Sequence, residues 1–487
     1  MTTLPQLVSA DEGPSSITCD ALVVGAYADQ GSFQLGRAAR DVDADGELSS
    51  YLASSGYAGK LGEVAVVPAP DSVAAEAIAV VGLGNRDELR SDVLRRAAGA
   101  AVRKLAERST LGVALHEDVP AGAAAVAEGL LLGSYRFTAH KSDPKPSKIQ
   151  RISVAGGDAA ALERATVVSE ATRLARDLVN EPASTLTPTV LADRARAAAE
   201  VSDVRCTTWG RDELASRGFG GLLGVSQGSA EEPRFIQLHY APGGTTRKLA
   251  LIGKGVTFDS GGLSLKDASN METMKTDMGG AAAVIGAMSA IGKLKPDVEV
   301  IGFIPATENM PSGTAIKPGD VIRHYGGKTT EVLNTDAEGR LILADALSFA
   351  CEQGPEAIVD VATLTGSIMV ALGKKATGVF SNDDALAGEV IGASERAGER
   401  FWHMPLYDVY DKELESDVAD LKNVGSRWGG AIIAALFLKS FVRESIPWAH
   451  LDVAGAARAE SDYDEITKGG TGVAVRTLVE WVEGRAT

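Results

Sequence analysis

The sequence predicts an α/β protein of two domains, a smaller N-terminal one and a larger C-terminal one whose mixed sheet is sandwiched by helices. Three observations predict this. A chain of 487 residues is too long for one ordinary hydrophobic core. A hydrophobic content of 45%, 54 glycines and a mean hydropathy of +0.02 suit a soluble, loop-rich α/β globule. Short apolar runs also alternate with alanine-rich helical ones along most of the chain.

The first 150 residues carry strand-like runs ALVVGAY, EVAVVPA and AIAVVGLG, interleaved with VLRRAAGAAVRKLAE and AAAVAEGLLLGSY. The polar, proline-bearing HKSDPKPSKIQR (His140 to Arg151) reads as an exposed edge. A further strand, ISVAGG, and a long helical run, ALERATVVSEATRLARDLVN, lead to NEPASTLTP, whose two prolines end the helix. The expected division is 1–165 for the N-terminal α/β domain, 166–188 for a linker helix and proline-rich turn, and 189–487 for the second domain.

In that second domain LALIGKGV, VEVIGFIP, AIVDVATL and AHLDVA are nearly all apolar, as strands covered on both faces would be. GGAAAVIGAMSAIGKL, LILADALSFACEQ and GGAIIAALFLKSFVRE supply the covering helices. Sites in such sheets form where loops leave the carboxyl ends of strands.

Composition narrows the function classes. Lys+Arg 48 against Asp+Glu 65 gives a net charge of −17, which disfavours a polyanion-binding role. Through residue 150 there are 14 basic and 19 acidic residues and no long basic stripe, so nucleic-acid binding is disfavoured there too. Cys19, Cys206 and Cys351 are scattered and form no CxxC, which fits a reducing, cytoplasmic compartment. MTTLPQLVSADEG has no basic and apolar leader pattern, and the longest apolar run, AIIAALFL, is too short for a membrane span.

Three strand-exit loops carry more charge than a bland loop needs. GKGVTFDSGG holds Lys254 and Asp259; the next stretch runs from Lys266 to Asp277 in KTDMGG; NTDAEGRL holds Asp336, Glu338 and Arg340. Singly, each has an ordinary reading. Asp277 could cap its helix, Asp336 and Glu338 could balance a helix dipole, and the lysines could snorkel or stay solvated. Jointly, four converging carboxylates need compensation, and divalent cations supply it. The six histidines are scattered without HxxH or HExxH spacing, so a metal site would be oxygen-rich, suiting Mn²⁺ or Mg²⁺ and able to hold Zn²⁺. In NTDAEGRL an extended backbone would turn Asp336 and Glu338 to one side, and Gly339 would let the chain bend after them.

GKGVTFDSGG, KTDMGGAAAV and NTDAEGRL, in this order and spacing, resemble the signatures of the leucyl aminopeptidase (cytosol aminopeptidase) family. The resemblance extends to EGLLLGSYRF, ARDLVNEP, LLGVSQGS, VATLTG and HLDVAG, while the first hundred residues match by pattern only. Ser184 departs from the family's usual asparagine in a segment that holds no metal. The resemblance implies a smaller, macro-like N-terminal α/β domain and a larger catalytic one that releases N-terminal residues, preferably leucine and other apolar ones, from peptides. It implies two divalent ions per subunit (Mn²⁺, Zn²⁺ or Mg²⁺), one held tightly by Lys254, Asp259, Asp277 and Glu338, the other exchangeable on Asp259, Asp336 and Glu338. Lys254 would ligate as the neutral amine. A bridging water would attack the peptide carbonyl, Lys266 would stabilise the oxyanion, and Arg340 would hold a bicarbonate acting as general base. Met274, Asn334, Thr363, Leu364 and Ala454 would border the pocket for the first side chain. The family pattern also implies a homohexamer, a dimer of trimers.

Two other motifs invite different chemistry. GVSQG matches G-x-S-x-G with Ser226 as nucleophile and His450 as base, but its flanks, GFGGLL and SAEEPRF, lack the strand and helix of a nucleophile elbow. GLG at Gly82 to Gly84 has Asp87 where a dinucleotide fingerprint needs its third glycine, so it reads as a strand-end turn.

Overall fold

Apolar runs bounded by glycine and proline become strands in the computed structural model, which describes residues 4–116, 118–119 and 122–486. The chain falls into two compact units, Met1–Arg173 with Glu460–Lys468, and Leu174–Ala459 with Gly469–Thr487. The division lies inside one 22-residue helix, Ala159–Asn180. The return of Glu460–Lys468 to the first unit has no counterpart in the composition of that stretch, so the sequence boundaries do not anticipate it.

The first unit holds β1 (Gln6–Ala10), β2 (Ala21–Asp29), β3 (Ser32–Leu35), β4 (Val64–Pro68), β5 (Ala77–Gly82), β6 (Thr110–Ala114) and β7 (Arg151–Ala155). Their order is β1-β7-β6-β2-β5-β4, with β3 beside β2; only β3 and β4 run antiparallel to their partners. Strand periodicity is plain in β2. Ala21, Val23 and Tyr27 enter one apolar core, and Leu22, Val24 and Ala26 enter another on the opposite face.

The second unit is organised by a nine-stranded mixed sheet. Its strands are β8 (Arg205–Trp209), β9 (Arg234–Tyr240), β10 (Lys248–Gly253), β11 (Gly255–Asp259) and β12 (Glu299–Asn309). After the small-sheet strands β13 (Val321–Arg323) and β14 (Thr329–Glu331) come β15 (Ala357–Ala362), β16 (Thr377–Ser381), β17 (Phe401–His403), the small-sheet β18 (Leu421–Lys422) and β19 (Trp448–Asp452). The order is β17-β16-β19-β15-β10-β12-β9-β8, with β11 pairing alongside β12. β19, β15, β10 and β12 are mutually parallel, and β10, β15 and β19 finish nearly level, Gly253 opposite Val361 and Ala362 opposite Asp452. Their exits therefore gather at one edge of the sheet.

The helix Gly279–Leu294 has apolar residues on every side and is buried over most of its length, as a sandwiched helix must be. It starts against the strand ends, where Gly280 is required. A Cβ there would stand 1.9 Å from the Val361 carbonyl oxygen and 2.9 Å from the Lys254 nitrogen. We expect Gly280→Ala to lower the melting temperature of chelated protein, corresponding to roughly 1–3 kcal/mol of overpacking. A melt superimposing on that of the parent would contradict this contact.

Candidate metal centre

The site is built from the exits of β10, β11 and β15 and from the turn that opens the helix Gly339–Glu352. Lys254 follows β10; its backbone nitrogen donates to Val361 O at 3.0 Å and its carbonyl accepts from Ala281 N at 2.9 Å. Fixed there, the side chain does not snorkel to solvent but is buried. Its Nζ lies 2.7 Å from Asp277 Oδ2 and 2.8 Å from Glu338 Oε1, and donates to Thr363 O at 3.1 Å. Asp277 does not cap the helix Gly279–Leu294, whose N-cap is Met278. It ends the 3₁₀ turn Met274–Thr276, and its Oδ1 accepts from Thr363 Oγ1 at 2.7 Å.

A second lysine repeats the arrangement. Lys266 Nζ lies 2.8 Å from Asp259 Oδ2 and 2.5 Å from Asp336 Oδ1. The other oxygen of Asp259 accepts from Gly261 N and from Asn309 Nδ2, both at 2.8 Å. Asp259, Asp336 and Glu338 bring oxygens within 4.8 Å of one another. Thus each ammonium sits between two carboxylates, and Glu338 and Asp259 stand where the two clusters meet.

NTDAEGRL reaches this geometry by a different route from the extended one its spacing suggests. Ala337 N donates to Asn334 O at 3.2 Å, and Asp336 N donates to Asn334 Oδ1 at 2.9 Å, so the segment is a tight turn. Glu338 already has helical angles, φ −77° and ψ −35°. Gly339 is the first helical residue rather than a hinge, and its lack of a side chain makes room: a Cβ would lie 2.5 Å from Lys254 Cε. The turn is held from outside by Asn423, whose Oδ1 accepts from Leu333 N at 2.9 Å and whose Nδ2 donates to Asn334 O at 2.7 Å. It is stitched to the Asp259 loop by Thr335, whose Oγ1 donates to Gly261 O at 2.6 Å and accepts from Ser264 N at 2.8 Å.

The electrostatics follow from this crowding. Burial raises the pKa of Asp277, Asp259 and Asp336 above the usual carboxylate range; the lysines oppose the shift, and neighbouring acids add to it. Burial alone would lower Lys254 and Lys266, but the surrounding carboxylates outweigh it and raise both, so both are ammoniums in the metal-free chain. Four carboxylates face two ammoniums, which leaves the buried cluster short of positive charge. Glu338 Oε2 is buried with no hydrogen-bond partner among the described residues. An oxygen-rich donor set with an unmatched carboxylate oxygen fits hard divalent cations, and Lys254 places an ammonium between the carboxylates a cation would join.

Arg340 is also buried; Nη1 donates to Asn423 O at 2.6 Å, while Nε has no partner among the described residues. Burial lowers its pKa to about 10 against the pull of Glu338 and Asp452, and it remains a cation at neutral pH. Of the expected pocket residues, Met274 begins the turn leading to Asp277, Asn334 begins the turn leading to Asp336, and Thr363 touches Asp277. Leu364 N and Ala454 N both donate to Asp452. Sequence reasoning passed over Asn309, Asn423 and Asp452. Asn309 and Asp452 end apolar strands β12 and β19, the same signal that marked Lys254. Ser226 has no nucleophile's setting: it ends the helix Gly220–Ser226, is fully buried and donates to Leu223 O at 2.8 Å.

Comparison with known proteins decides the family. The model of the cytosol aminopeptidase family catalytic domain matches residues 173–479, and that of its N-terminal domain matches 23–144. The chain belongs to the cytosol aminopeptidase family. This makes it a metal-dependent exopeptidase acting at peptide N-termini. Similar proteins include probable cytosol aminopeptidases of Streptomyces coelicolor, 44% identical over 99% of this chain and 98% of the relative, and of Streptomyces avermitilis, 46% identical over 96% of both. Among solved structures, the bottromycin maturation enzyme BotP in complex with Mn is 41% identical with a TM-score of 0.88, covering 96% of this chain and all of that one. A tomato leucine aminopeptidase mutant is 37% identical with a TM-score of 0.90, covering 99% of this chain and 98% of that one. Among the described residues, no helix is long and apolar enough to cross a membrane.

Two outcomes follow for this aminopeptidase. With Asp259, Asp277 and Asp336 raised, the folded metal-free chain keeps protons that the unfolded chain has released, so this cluster's contribution to stability falls as pH rises past the ordinary carboxylate pKa. Cation binding expels those protons. The rise in melting temperature on adding Mn²⁺ to chelated protein should therefore be larger at pH 7 than at pH 5; an equal or smaller rise contradicts the cluster's role. Asn309 Nδ2 meets two acceptors, Asp259 Oδ1 and Thr335 O at 3.0 Å, which fixes its amide orientation. Asn309→Ala frees Asp259 to rotate and should weaken Mn²⁺ binding by about 10–100-fold in competition with a chelating dye. Unchanged affinity would make the asparagine dispensable.

Proposed function

We propose that the chain is a two-cation leucyl aminopeptidase that prefers peptides beginning with leucine or another apolar residue. The observation that carries this is the pair of lysine-bridged carboxylate clusters meeting at Glu338, whose second oxygen is buried with no hydrogen-bond partner among the described residues. Lys254, ligating as the neutral amine once the entering cation displaces its proton, would hold one cation tightly with Asp259, Asp277 and Glu338, and Asp259, Asp336 and Glu338 would hold a second, exchangeable one. Mn²⁺, Zn²⁺ and Mg²⁺ all suit such donors. When bound, the pair supplies Lewis acidity and a water made nucleophilic near neutral pH.

The chain's own residues do the rest. Lys266, a charged ammonium beside Asp259 and Asp336, would stabilise the oxyanion that forms as the scissile carbonyl becomes tetrahedral. Arg340, a buried guanidinium whose Nε has no hydrogen-bond partner among the described residues, would seat a planar anion by paired hydrogen bonds. Bicarbonate, if held there by Arg340, would supply a general base. The substrate's α-amine lies beside Asp277, which restricts cleavage to the first peptide bond. Met274, Asn334, Thr363, Leu364 and Ala454 border the first side chain, and methionine and leucine favour apolar contact there.

These residues belong to the catalytic domain, taken as 189–487, with 1–165 as the N-terminal domain and 166–188 joining them. The assembly proposed with this reading is a homohexamer built as a dimer of trimers, in which exposed apolar side chains such as Trp402 and Trp428 would be covered. The scattered free cysteines support a cytoplasmic location.

Hydrolysis of leucine p-nitroanilide tests the reading. Chelation should abolish it, stepwise return of Mn²⁺, Zn²⁺ or Mg²⁺ should restore it, and Glu338→Ala should stay inactive with any of them. Full activity in the chelated enzyme or in Glu338→Ala would overturn the mechanism.

A further inference from the structure

Asp452 ends β19 and is fully buried. Its carboxylate gathers four hydrogen bonds from two different chain exits. Oδ1 accepts from Leu364 N at 3.1 Å, Thr365 N at 3.4 Å and Ala454 N at 3.2 Å; Oδ2 accepts from Thr365 Oγ1 at 2.6 Å. Thr365 Oγ1 accepts in turn from Ile368 N at 3.2 Å, capping the short helix Gly366–Leu372. One side chain thus clamps the exit of β15 to the exit of β19.

The clamped loop is not a neutral connection. Thr363, at its start, touches two residues of the metal centre, through its carbonyl to Lys254 Nζ at 3.1 Å and through its hydroxyl to Asp277 Oδ1 at 2.7 Å. Leu364 and Ala454 are half-buried and pack on the apolar core from opposite exits, so their separation is set by the group that holds both their amides. A plain turn would satisfy those amides with backbone carbonyls or solvent. A buried carboxylate is the costlier choice, and its charge-assisted bonds are roughly twice as strong as neutral ones.

We infer that Asp452 is the positioning residue that sets first-side-chain specificity, by fixing Leu364 against Ala454 and holding Thr363 on Asp277 and Lys254. This rests on the reading above that Leu364 and Ala454 border the first-side-chain pocket. Asp452 itself does not touch substrate.

The test compares kcat/KM for leucine and alanine p-nitroanilides in Mn²⁺-loaded enzyme, as a ratio within each preparation so that the fraction of active protein cancels. Asp452→Ala should lower the leucine-to-alanine ratio about tenfold, the scale at which apolar pockets discriminate, chiefly through a higher KM for leucine. Asp452→Asn can still accept the three amides and offer its Nδ2 to Thr365 Oγ1, so it should keep the ratio within about threefold. Thr365→Val, which removes the Oδ2 contact and the cap on Ile368 N but keeps the three backbone amide bonds to Oδ1, should shift the ratio in the same direction by a smaller factor and serves if Asp452→Ala does not fold. Leu364→Ala is the control for the pocket. A parental ratio in Asp452→Ala, or in Thr365→Val if that variant must stand in, with an altered ratio in Leu364→Ala overturns the role of Asp452 and leaves the pocket standing. An unaltered ratio in Leu364→Ala overturns the pocket and the inference with it. Loss of the ratio in Asp452→Asn as complete as in Asp452→Ala contradicts a hydrogen-bond clamp.

Discussion

Four carboxylates, three buried and Asp336 half-buried, crowd one edge of the sheet, and the other features of this unit answer to that crowding. Ionised carboxylates out of water are costly, and like charges at these distances raise one another's pKa. Two lysines meet the cost in part, each lodged between two acids, Lys254 between Asp277 and Glu338 and Lys266 between Asp259 and Asp336. The remaining deficit of positive charge is what makes this edge suited to cations and underlies the proposed metal centre. Arg340 is a third buried cation, drawn by the charges of Glu338 and Asp452.

The fold serves that concentration of charge by bringing backbones unusually close. β10, β15 and β19 finish nearly level, so their exits converge, and the helix Gly279–Leu294 starts directly on them. Gly280 permits that approach, and Gly339 opens space for the Lys254 side chain. Around the ligands, neutral amides and hydroxyls rather than further charges do the orienting. Asn309 fixes one oxygen of Asp259, Thr363 one oxygen of Asp277, and Asn423 the backbone of the Asp336 turn. Ligand positions set by rigid partners of this kind are what metal chemistry requires.

Much of this was legible in the sequence because charge in apolar surroundings is conspicuous. Lys254 after LALIG and Asp336 and Glu338 after a strand stand out without any structure, and the strands around them read clearly because helices cover both faces. What stayed hidden has physical reasons. Asp336 and Glu338 converge through a tight turn made by Asn334, which two-residue periodicity cannot reveal. Gly339 reads as a hinge until the lysine from a strand 85 residues earlier is seen against it. Asn309, Asn423 and Asp452 are single polar residues whose meaning lies in partners 26 to 90 residues away, and local pattern carries no record of such pairs.

In the proposed centre Glu338 and Asp259 lie between two cations. Anomalous scattering from crystals of the protein grown with Mn²⁺ tests it most directly. Two anomalous peaks about 3.5–4 Å apart are expected, one beside Lys254 and Asp277, the other beside Asp336, with Glu338 reaching both. A single peak remote from Glu338, or no peak within reach of these carboxylates at saturating Mn²⁺, would contradict it.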